Sequence, residues 1–325
     1  MKIVYMGTPE IAAVILESLI AKGEEIAAVV TQPDKPKGRG YEMSFSKVKQ
    51  AALSHGLTIY QPTKVKDEEF LALMEQIAPD LIVVAAFGQI LPKRLLDLPK
   101  YGCINVHASL LPKYRGAAPI QYAILNGESE TGVTIQYMAE GLDTGDILTK
   151  EIVSIAEDET GGSLYDKLAV VGARVLDTAL NQIAAGTASR TPQDEAGASY
   201  VGTIKKEMGQ LDFSHTAKEL DRKVRAFDPW PGTYAYLNGK MLKFWSCEEI
   251  RFSEEELQRA RENAWGYGSI LRVKKDSFAI LTREGGLLVK ELQLEGKRRM
   301  RTEEFLRGYP LKEGIYLMGT ASPLR

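Results

Sequence analysis

Asn105 and His107 are separated by one residue, near the end of an apolar run that begins at Cys103. If this run is a strand, both side chains point to the same face of its sheet. Two carboxylates, Asp143 and Asp146, follow in a segment of turn-forming residues. An amide donor, an imidazole and a carboxylate are the groups needed to move an acyl group between nitrogens. The residues therefore predict an acyl-transfer site, and on residue type alone either carboxylate could belong to it.

The elements that position these residues form a βαβ series over residues 1 to about 110. This series predicts an α/β fold with a mostly parallel, Rossmann-like sheet and helices on both faces. Asn105 and His107 then lie at the carboxyl end of the fifth strand, where open α/β sheets bind ligands. The β-rich runs are Lys2–Met6, Glu25–Thr31, Leu57–Tyr60, Leu81–Phe87 and Cys103–His107, and the helical patterns are Pro9–Lys22, Ser46–His55 and Asp67–Ile77.

The first domain is predicted to span residues 1–187, because two further β-like runs and a long helical pattern (Ser163 to Ala185) follow. Residues 188–207 are polar and predict an interdomain linker. In residues 208–325, a helical pattern and five short β-rich runs predict a smaller barrel of the oligonucleotide-binding (OB) type. The β-like runs of the first domain are Gly132–Met138 and Ile147–Ile155; those of the second are Thr233–Leu237, Met241–Ser246, Gly268–Val273, Phe278–Leu281 and Leu287–Leu294.

Composition excludes several classes of protein. The 325 residues are 44% hydrophobic and 26% charged, and no apolar run approaches the roughly 18 residues of a membrane span, so we expect a cytoplasmic protein with no membrane partner. Two distant cysteines, Cys103 and Cys247, support neither a disulfide framework nor a zinc site. The first strand ends in Gly7-Thr8-Pro9-Glu10, which lacks the glycines of a dinucleotide fingerprint. We expect a monomer.

Charge is distributed unevenly along the chain. From Lys205 onward there are 23 Lys and Arg against 18 Asp and Glu, a net charge of +5, whereas the whole chain has a net charge of −2. A basic second part predicts a polyanionic partner such as nucleic acid. A basic patch (Lys297, Arg298, Arg299 and Arg301) is either a solvated hairpin face or an RNA contact.

The motifs around Asn105 and His107 resemble the signature of the folate-dependent formyltransferases. The resemblance implies that Asn105, His107 and Asp143 are the catalytic residues, and the family spacing selects Asp143 over Asp146. It also implies a binding site for 10-formyltetrahydrofolate as formyl donor, without a metal. The motifs that match are Ser109–Pro112, Arg115-Gly116 and Gly132–Leu148, and the implied folate-binding residues are Gly88, Gln89, Ile90, Leu91, Ser109, Leu110, Leu111, Pro112, Ala139, Glu140, Gly141 and Leu142.

A basic segment near the N-terminus resembles the insertion loop of the family members that formylate methionyl-tRNA. Its cations Lys35, Lys37 and Arg39 are interleaved with Pro and Gly, so they lie on a loop that can adapt to a phosphate backbone. Initiator Met-tRNA is the partner that this resemblance implies.

The segment Tyr200–Phe213 resembles the linker motif that starts the tRNA-binding domain in the family. Lys206 matches the second of two lysines expected there, and Thr203 occupies the position of the first. Lys206 is therefore a further residue implied to contact tRNA.

The implied reaction transfers the formyl group to the α-amino group of methionine on initiator tRNA, giving N-formylmethionyl-tRNA for translation initiation. Asn105 would donate to the oxyanion, as would His107 when it is protonated. Asp143 would accept a hydrogen bond from His107 and help to remove the amine proton. One alternative acceptor is an amino sugar nucleotide, or water. Another alternative is an RNA-binding protein that uses the scaffold without catalysis. The Lys35–Arg39 loop favours tRNA, and the intact trio favours an enzyme.

Overall fold

The computed structural model describes residues 1–37 and 42–318, and the chain divides into two compact units. The first unit comprises Met1–Ile120, Ser129–Ile155 and Leu164–Gly202. The second comprises Gln121–Glu128, Ala156–Ser163 and the chain from Thr203 onward. Across both described ranges, the helices are too short or too polar to cross a membrane.

Up to about residue 110 strands and helices follow the predicted βαβ order, with two short strands inserted before the second helix. The elements up to residue 202 are β1 (Lys2–Gly7), α1 (Glu10–Ala21), β2 (Glu25–Val30), β3 (Lys35–Lys37), β4 (Glu42–Ser44), α2 (Lys47–Ser54), β5 (Ile59–Tyr60), α3 (Glu68–Ile77), β6 (Leu81–Ala85), α4 (Lys93–Leu96), β7 (Cys103–His107), β8 (Arg115–Gly116), α5 (Pro119–Leu125), β9 (Glu130–Tyr137), β10 (Ile147–Ser154), α6 (Gly161–Ala184) and β11 (Tyr200–Val201).

The ends of these elements follow local chemistry. The Ser46 hydroxyl caps α2 by accepting a hydrogen bond from the Lys49 amide at 3.0 Å, which satisfies one of the free amides of the first turn. After α2, the Leu57 amide still bonds to the Ala52 carbonyl. The predicted run Leu57–Tyr60 forms a strand only at its last two residues.

The main sheet of the first unit has the order β10-β9-β7-β6-β1-β2-β5. Strands β5, β2, β1, β6 and β7 are parallel, and β9 and β10 are antiparallel additions at one edge. The predicted mostly parallel α/β sheet is confirmed. Its central strands are buried because their side chains are apolar on both faces; Ile3 to Met6 of β1 have no exposed surface.

The register between β7 and β9 positions the candidate site. Asn105 lies opposite Gln136, and His107 lies opposite Thr134. Because side chains alternate along a strand, these four residues share one face of the sheet. Two polar pairs therefore lie side by side in an otherwise apolar region.

The segment with the predicted basic loop begins and ends in a small antiparallel pair, β3 with β4. Lys35 is exposed on β3. Arg39 lies outside the described residues, and so does the side chain of Lys37.

The second unit is built on an antiparallel sheet with the order β12-β13-β16-β15-β14, and β17 pairs with β16. Its core is apolar, with Phe244, Phe278 and Leu292 fully buried. The elements from residue 203 onward are α7 (Ala217–Ala226), β12 (Thr233–Leu237), β13 (Lys240–Ile250), α8 (Glu254–Glu262), β14 (Ile270–Val273), β15 (Phe278–Leu281), β16 (Gly286–Leu294), β17 (Met300–Arg301) and α9 (Thr302–Gly308).

The predicted OB-type barrel appears as an open sheet: within residues 203–318, no strand pairing closes the path into a barrel. The tail of the described chain bonds to both edge strands instead. Met318 exchanges two backbone hydrogen bonds with Tyr236 of β12, and the Ile315 carbonyl accepts from Ile270 of β14. These isolated bridges satisfy part of the exposed edges.

Candidate active site

The carboxylate of Asp143 is the centre of a polar cluster at the β7–β9 face. Its Oδ1 accepts a hydrogen bond from Gln136 Nε2 at 2.8 Å and a longer one from Asn105 Nδ2 at 3.4 Å. Its Oδ2 accepts from the Gly116 amide at 2.9 Å. Three neutral donors therefore hold one carboxylate and orient it.

His107 lies beside this carboxylate and is almost fully buried. Its Nε2 is 2.9 Å from the Tyr114 carbonyl oxygen, and because a carbonyl only accepts, Nε2 carries a proton. Nδ1 therefore faces the site and lies 3.7 Å from Asp143 Oδ2. That distance is longer than a hydrogen bond, so the expected bond between the two residues is a close approach in this structure.

The backbone turn that presents Asp143 is tightly constrained. Asp143 has a φ of +54°, a left-handed conformation that is unfavourable for residues with a side chain. A Cβ built on Gly145 would lie 1.7 Å from the Tyr137 carbonyl oxygen, so only glycine fits there. The Asp146 carbonyl accepts from the Tyr137 amide, which gives Asp146 a backbone role in the same turn.

A second group of residues supports this turn from residues 191–201. Gln193 Nε2 donates to the carbonyl oxygens of Asp143 and Gly145, at 2.8 and 2.7 Å. Gln193 Oε1 accepts from Arg115, which is fully buried and forms a bidentate ion pair with Glu195. Hydrogen bonding to Arg115 holds the pKa of Glu195 below its usual range.

The Ser109–Pro112 segment is fixed by the strand beside it. The Thr134 hydroxyl donates to the Ser109 carbonyl at 2.7 Å and accepts from the Leu111 amide at 3.1 Å. Ser109 and Leu111 are buried, and the Ser109 hydroxyl donates to the Lys113 carbonyl. These two residues therefore shape the segment from inside, whereas Leu110 and Pro112 are partly exposed.

The other implied folate segments leave apolar side chains in solvent. Ile90 is 79% exposed and Leu142 is 55% exposed, while Leu91 packs in the core. Gln89 accepts a hydrogen bond from the Val65 amide at 3.0 Å and anchors its loop. Exposed aliphatic side chains of this kind are a surface on which an aromatic ligand can pack.

A cavity of about 410 Å³ adjoins the Ala139–Leu142 loop. Its lining includes Ala139 and Glu140, and Arg190, whose guanidinium lies 3.8 Å from the centre of the Tyr137 ring. Cys103 also lines the cavity, and burial raises the pKa of its thiol to about 12, so it remains a neutral thiol. Within residues 1–37 and 42–318, no cluster of three His, Cys, Asp or Glu side chains could hold a metal.

Lys206, the residue of the second unit implied to contact tRNA, is exposed at the start of the 3₁₀ turn Lys206–Gly209. Thr203, in the position of the other expected lysine, is exposed as well. Both are accessible to a polyanion.

Sequence reasoning missed Gln136, Thr134 and Gln193. A signal for the first two was present, because polar residues alternate with apolar ones in β9 with the same period of two as Asn105 and His107. Gln193 carries no such signal, since it lies 50 residues from Asp143 in a polar segment.

Residues 1–180 of the chain match the sequence profile of the family described as formyl transferase. The chain belongs to the formyl transferase family. Residues 203–310 match the profile of the formyl transferase C-terminal domain. The family resemblance found from the motifs is confirmed.

Two relatives match this chain over nearly the whole length of both proteins. A methionyl-tRNA formyltransferase of Agathobacter rectalis is 46% identical over 316 residues, which cover 97% of this chain and 99% of the relative. That of Lachnospira eligens is 46% identical over 318 residues, covering 98% and 99%. An N-formyltransferase structure from Helicobacter canadensis, in complex with folinic acid and dTDP-3-aminofucose, has a TM-score of 0.65 at 21% identity and covers 92% of this chain and 100% of its own. That likeness shows a shared fold.

Proposed function

We propose that this protein transfers the formyl group of 10-formyltetrahydrofolate to the α-amino group of methionine on charged initiator tRNA. The observation that carries the proposal is the Asp143 cluster with Asn105 and His107, in a chain 46% identical over nearly its whole length to enzymes named methionyl-tRNA formyltransferase. The product would be N-formylmethionyl-tRNA, which serves translation initiation.

The reaction needs a stabilised oxyanion. Attack of the neutral amine on the formyl carbon forms a carbon–nitrogen bond and leaves a negative charge on the formyl oxygen. Asn105 Nδ2 is available for that oxygen because its bond to Asp143 is long, at 3.4 Å. Each well-placed donor of this kind lowers the barrier by about 3 to 4 kcal/mol.

The reaction also needs a proton path. The attacking nitrogen must lose a proton, and the departing N10 of the folate must gain one as its bond to carbon breaks. Asp143 Oδ2 and His107 Nδ1, 3.7 Å apart, are close enough for one polar group of the substrate, or one water, to bond to both from the side and exchange that proton. The Tyr114 carbonyl keeps Nδ1 oriented toward the site.

The residues around the cluster fit a folate ligand. Ile90 and Leu142 provide exposed apolar surface on which an aromatic ligand can pack. We assign folate binding to Gly88–Leu91, Ser109–Pro112 and Ala139–Leu142, with Ser109 and Leu111 acting through the backbone that they hold in place.

Binding of the tRNA substrate requires positively charged residues rather than reactive groups. Lys35 and Lys206 are exposed cations, and we assign phosphate contacts to them, together with Lys37 and Arg39 of the basic segment. We further propose that the protein is a cytoplasmic monomer. Residues 1–187 would form its catalytic domain, residues 188–207 a linker and residues 208–325 its tRNA-binding domain.

The test is formylation in vitro. The protein is incubated with 10-formyltetrahydrofolate labelled in the formyl group and initiator tRNA charged with methionine, and label on the released methionine is measured. Matched reactions contain uncharged tRNA, a charged elongator tRNA, or an amino sugar nucleotide. We expect label only on initiator Met-tRNA; label on the amino sugar but not on tRNA would replace the proposal with the sugar reaction, and folate binding without transfer to any acceptor would exclude catalysis.

A further inference from the structure

We propose that Gln193 is a positioning residue, whose side-chain amide holds the turn that carries Asp143 in the reactive geometry. The inference rests on the proposed function, since it assigns Asp143 to catalysis. Gln193 lies in the segment that the sequence predicts to be an interdomain linker. The inference therefore assigns a residue of that segment to the active site.

The two hydrogens of the Gln193 amide have two carbonyl acceptors. Nε2 lies 2.8 Å from the oxygen of Asp143 and 2.7 Å from that of Gly145, and 3.4 Å from the side-chain oxygen of Gln136. One side chain thus binds both sides of the turn and also approaches the strongest donor to the Asp143 carboxylate. A substitution at Gln193 should therefore displace the Asp143 carboxylate in two ways: through the backbone of the turn and through the Gln136 side chain.

The orientation of this amide is determined by chemistry. Arg115 Nε and Nη2 lie 3.0 and 2.9 Å from Gln193 Oε1, and a guanidinium can only donate. The oxygen must therefore face Arg115, which turns the nitrogen toward the two carbonyls.

Arg115 is itself held by several contacts. It has no exposed surface, it bonds to both oxygens of Glu195, and Nη1 donates to the Tyr200 hydroxyl at 2.8 Å. Strand β8, which contains Arg115, pairs with β11. The adjacent Gly116 amide donates to Asp143 Oδ2. Strand β8 therefore orients Asp143 twice: Gly116 binds its carboxylate, and Arg115 orients Gln193, which binds its carbonyl.

The hydrogen bonds from Gln193 stabilise an unfavourable backbone conformation at Asp143. Asp143 adopts a left-handed conformation that persists only when the surroundings impose it. Without the Gln193 donors, the turn can relax and carry the carboxylate away from Asn105 and His107. Displacements of about 1 Å in an active site reduce rates by about 100-fold.

Two variants of Gln193 distinguish a role in positioning Asp143 from a role in filling space. Gln193→Glu keeps the acceptor for Arg115 and removes both donors to the turn, and Gln193→Met removes donor and acceptor at similar volume. Gln50→Leu is the matched control, because Gln50 is exposed and the one hydrogen bond described for its side chain is to the Phe45 carbonyl. Steady-state formylation gives kcat and both KM values, and thermal unfolding gives Tm.

We expect Gln193→Glu to fold with a lowered Tm, because two hydrogen bonds to the turn are lost, and to retain both KM values of the wild type while kcat falls about 10- to 100-fold, as for a displaced catalytic group. Gln193→Met should lose kcat similarly, and Gln50→Leu should match the wild type. Wild-type kcat in Gln193→Glu would overturn the inference, and so would a loss confined to Tm or to KM. If the wild type formylates no acceptor, the proposed function fails instead, which is a different result.

Discussion

Asn105 and Gln136 lie directly opposite each other on β7 and β9, and both side-chain amides donate to the same oxygen of Asp143. The two bonds are unequal, at 3.4 and 2.8 Å. Gln136 is therefore the residue that holds the carboxylate, and Asn105 can leave it for a substrate oxygen at little cost. Of the two similar side-chain amides, that of Gln136 therefore positions Asp143, and that of Asn105 is available to the substrate.

Gln136→Leu should lower kcat about 10- to 100-fold, because Asp143 loses its shortest side-chain donor and the displaced carboxylate reacts poorly. Gln136 is buried, but its loss leaves Asp143 with the Gly116 amide and Asn105, so folding should persist. Steady-state formylation checks kcat, and circular dichroism checks the fold. An unchanged kcat in a folded variant would remove Gln136 from the site.

Asn105→Ala, His107→Ala and Asp143→Ala should each reduce turnover by about 100- to 10,000-fold, with tRNA affinity retained. The physical reason is that each residue acts on the reacting atoms rather than on the phosphate backbone. Single-turnover formylation and filter binding measure the two quantities. Asp146→Asn is the matched control, since it changes the other carboxylate of the same turn and should retain near-normal rates. Near-normal turnover in His107→Ala would contradict the assignment.

Gly116→Ala should lower both kcat and stability. A Cβ there would lie 2.3 Å from the Val201 carbonyl oxygen, and φ is +113°, so the backbone must shift and the Gly116 amide moves away from Asp143. Strain of this kind costs about 1 to 3 kcal/mol. Urea unfolding and steady-state kinetics are the measurements.

The control for this substitution is Gly202→Ala, because a Cβ on Gly202 meets no atom within 4 Å. It should behave as the wild type. Equal effects of the two alanines would argue against a specific role for the Gly116 amide.

Lys35→Ala and Lys206→Ala should raise the KM for tRNA and leave the KM for folate unchanged, because both cations are exposed and are assigned to phosphates. Each lost phosphate contact should reduce the slope of log affinity against log salt by about 0.7 to 0.9. Arg39→Ala should weaken productive tRNA engagement in the same assay. A tRNA KM that does not respond to salt in the wild type would refute this electrostatic assignment.

Glu256→Gln should reduce stability at neutral pH. Bidentate hydrogen bonding from Arg272, at 2.6 Å for each oxygen, lowers the pKa of Glu256 from 4.5 to about 2. Because the folded pKa is the lower one, the stabilisation is complete above about pH 4.5 and is lost as the pH falls toward about 2. The loss in the variant should be about 1.5 kcal/mol, the lower end for hydrogen bonds to charged groups.

Urea unfolding of the wild type and of Glu256→Gln over this pH range checks the sign. The two curves should converge at low pH, where the wild-type carboxylate is protonated. A constant separation from neutral pH down to about 2 would show that the ion pair contributes nothing to the acid dependence.

The sequence by itself determined the strands of the seven-stranded sheet and the first pair of site residues. Asn105 and His107 share a face because side chains alternate along any strand, and that rule needs only the local pattern around Cys103–His107. The same rule, applied to Thr134 and Gln136, would have found the opposite half of the face. Apolar periodicity likewise predicted the order of strands and helices, since burial of one face drives the formation of each element.

Only the tertiary structure decided how Asp143 is held. Residue types alone do not separate Asp143 from Asp146, whereas the folded turn directs the Asp143 side chain to three donors and uses Asp146 through its carbonyl. The Gly116 amide and Gln193 reach this turn across 27 and 50 residues of sequence. Such contacts follow from the path of the whole chain, because hydrogen bonds between distant segments leave no periodic pattern in either segment.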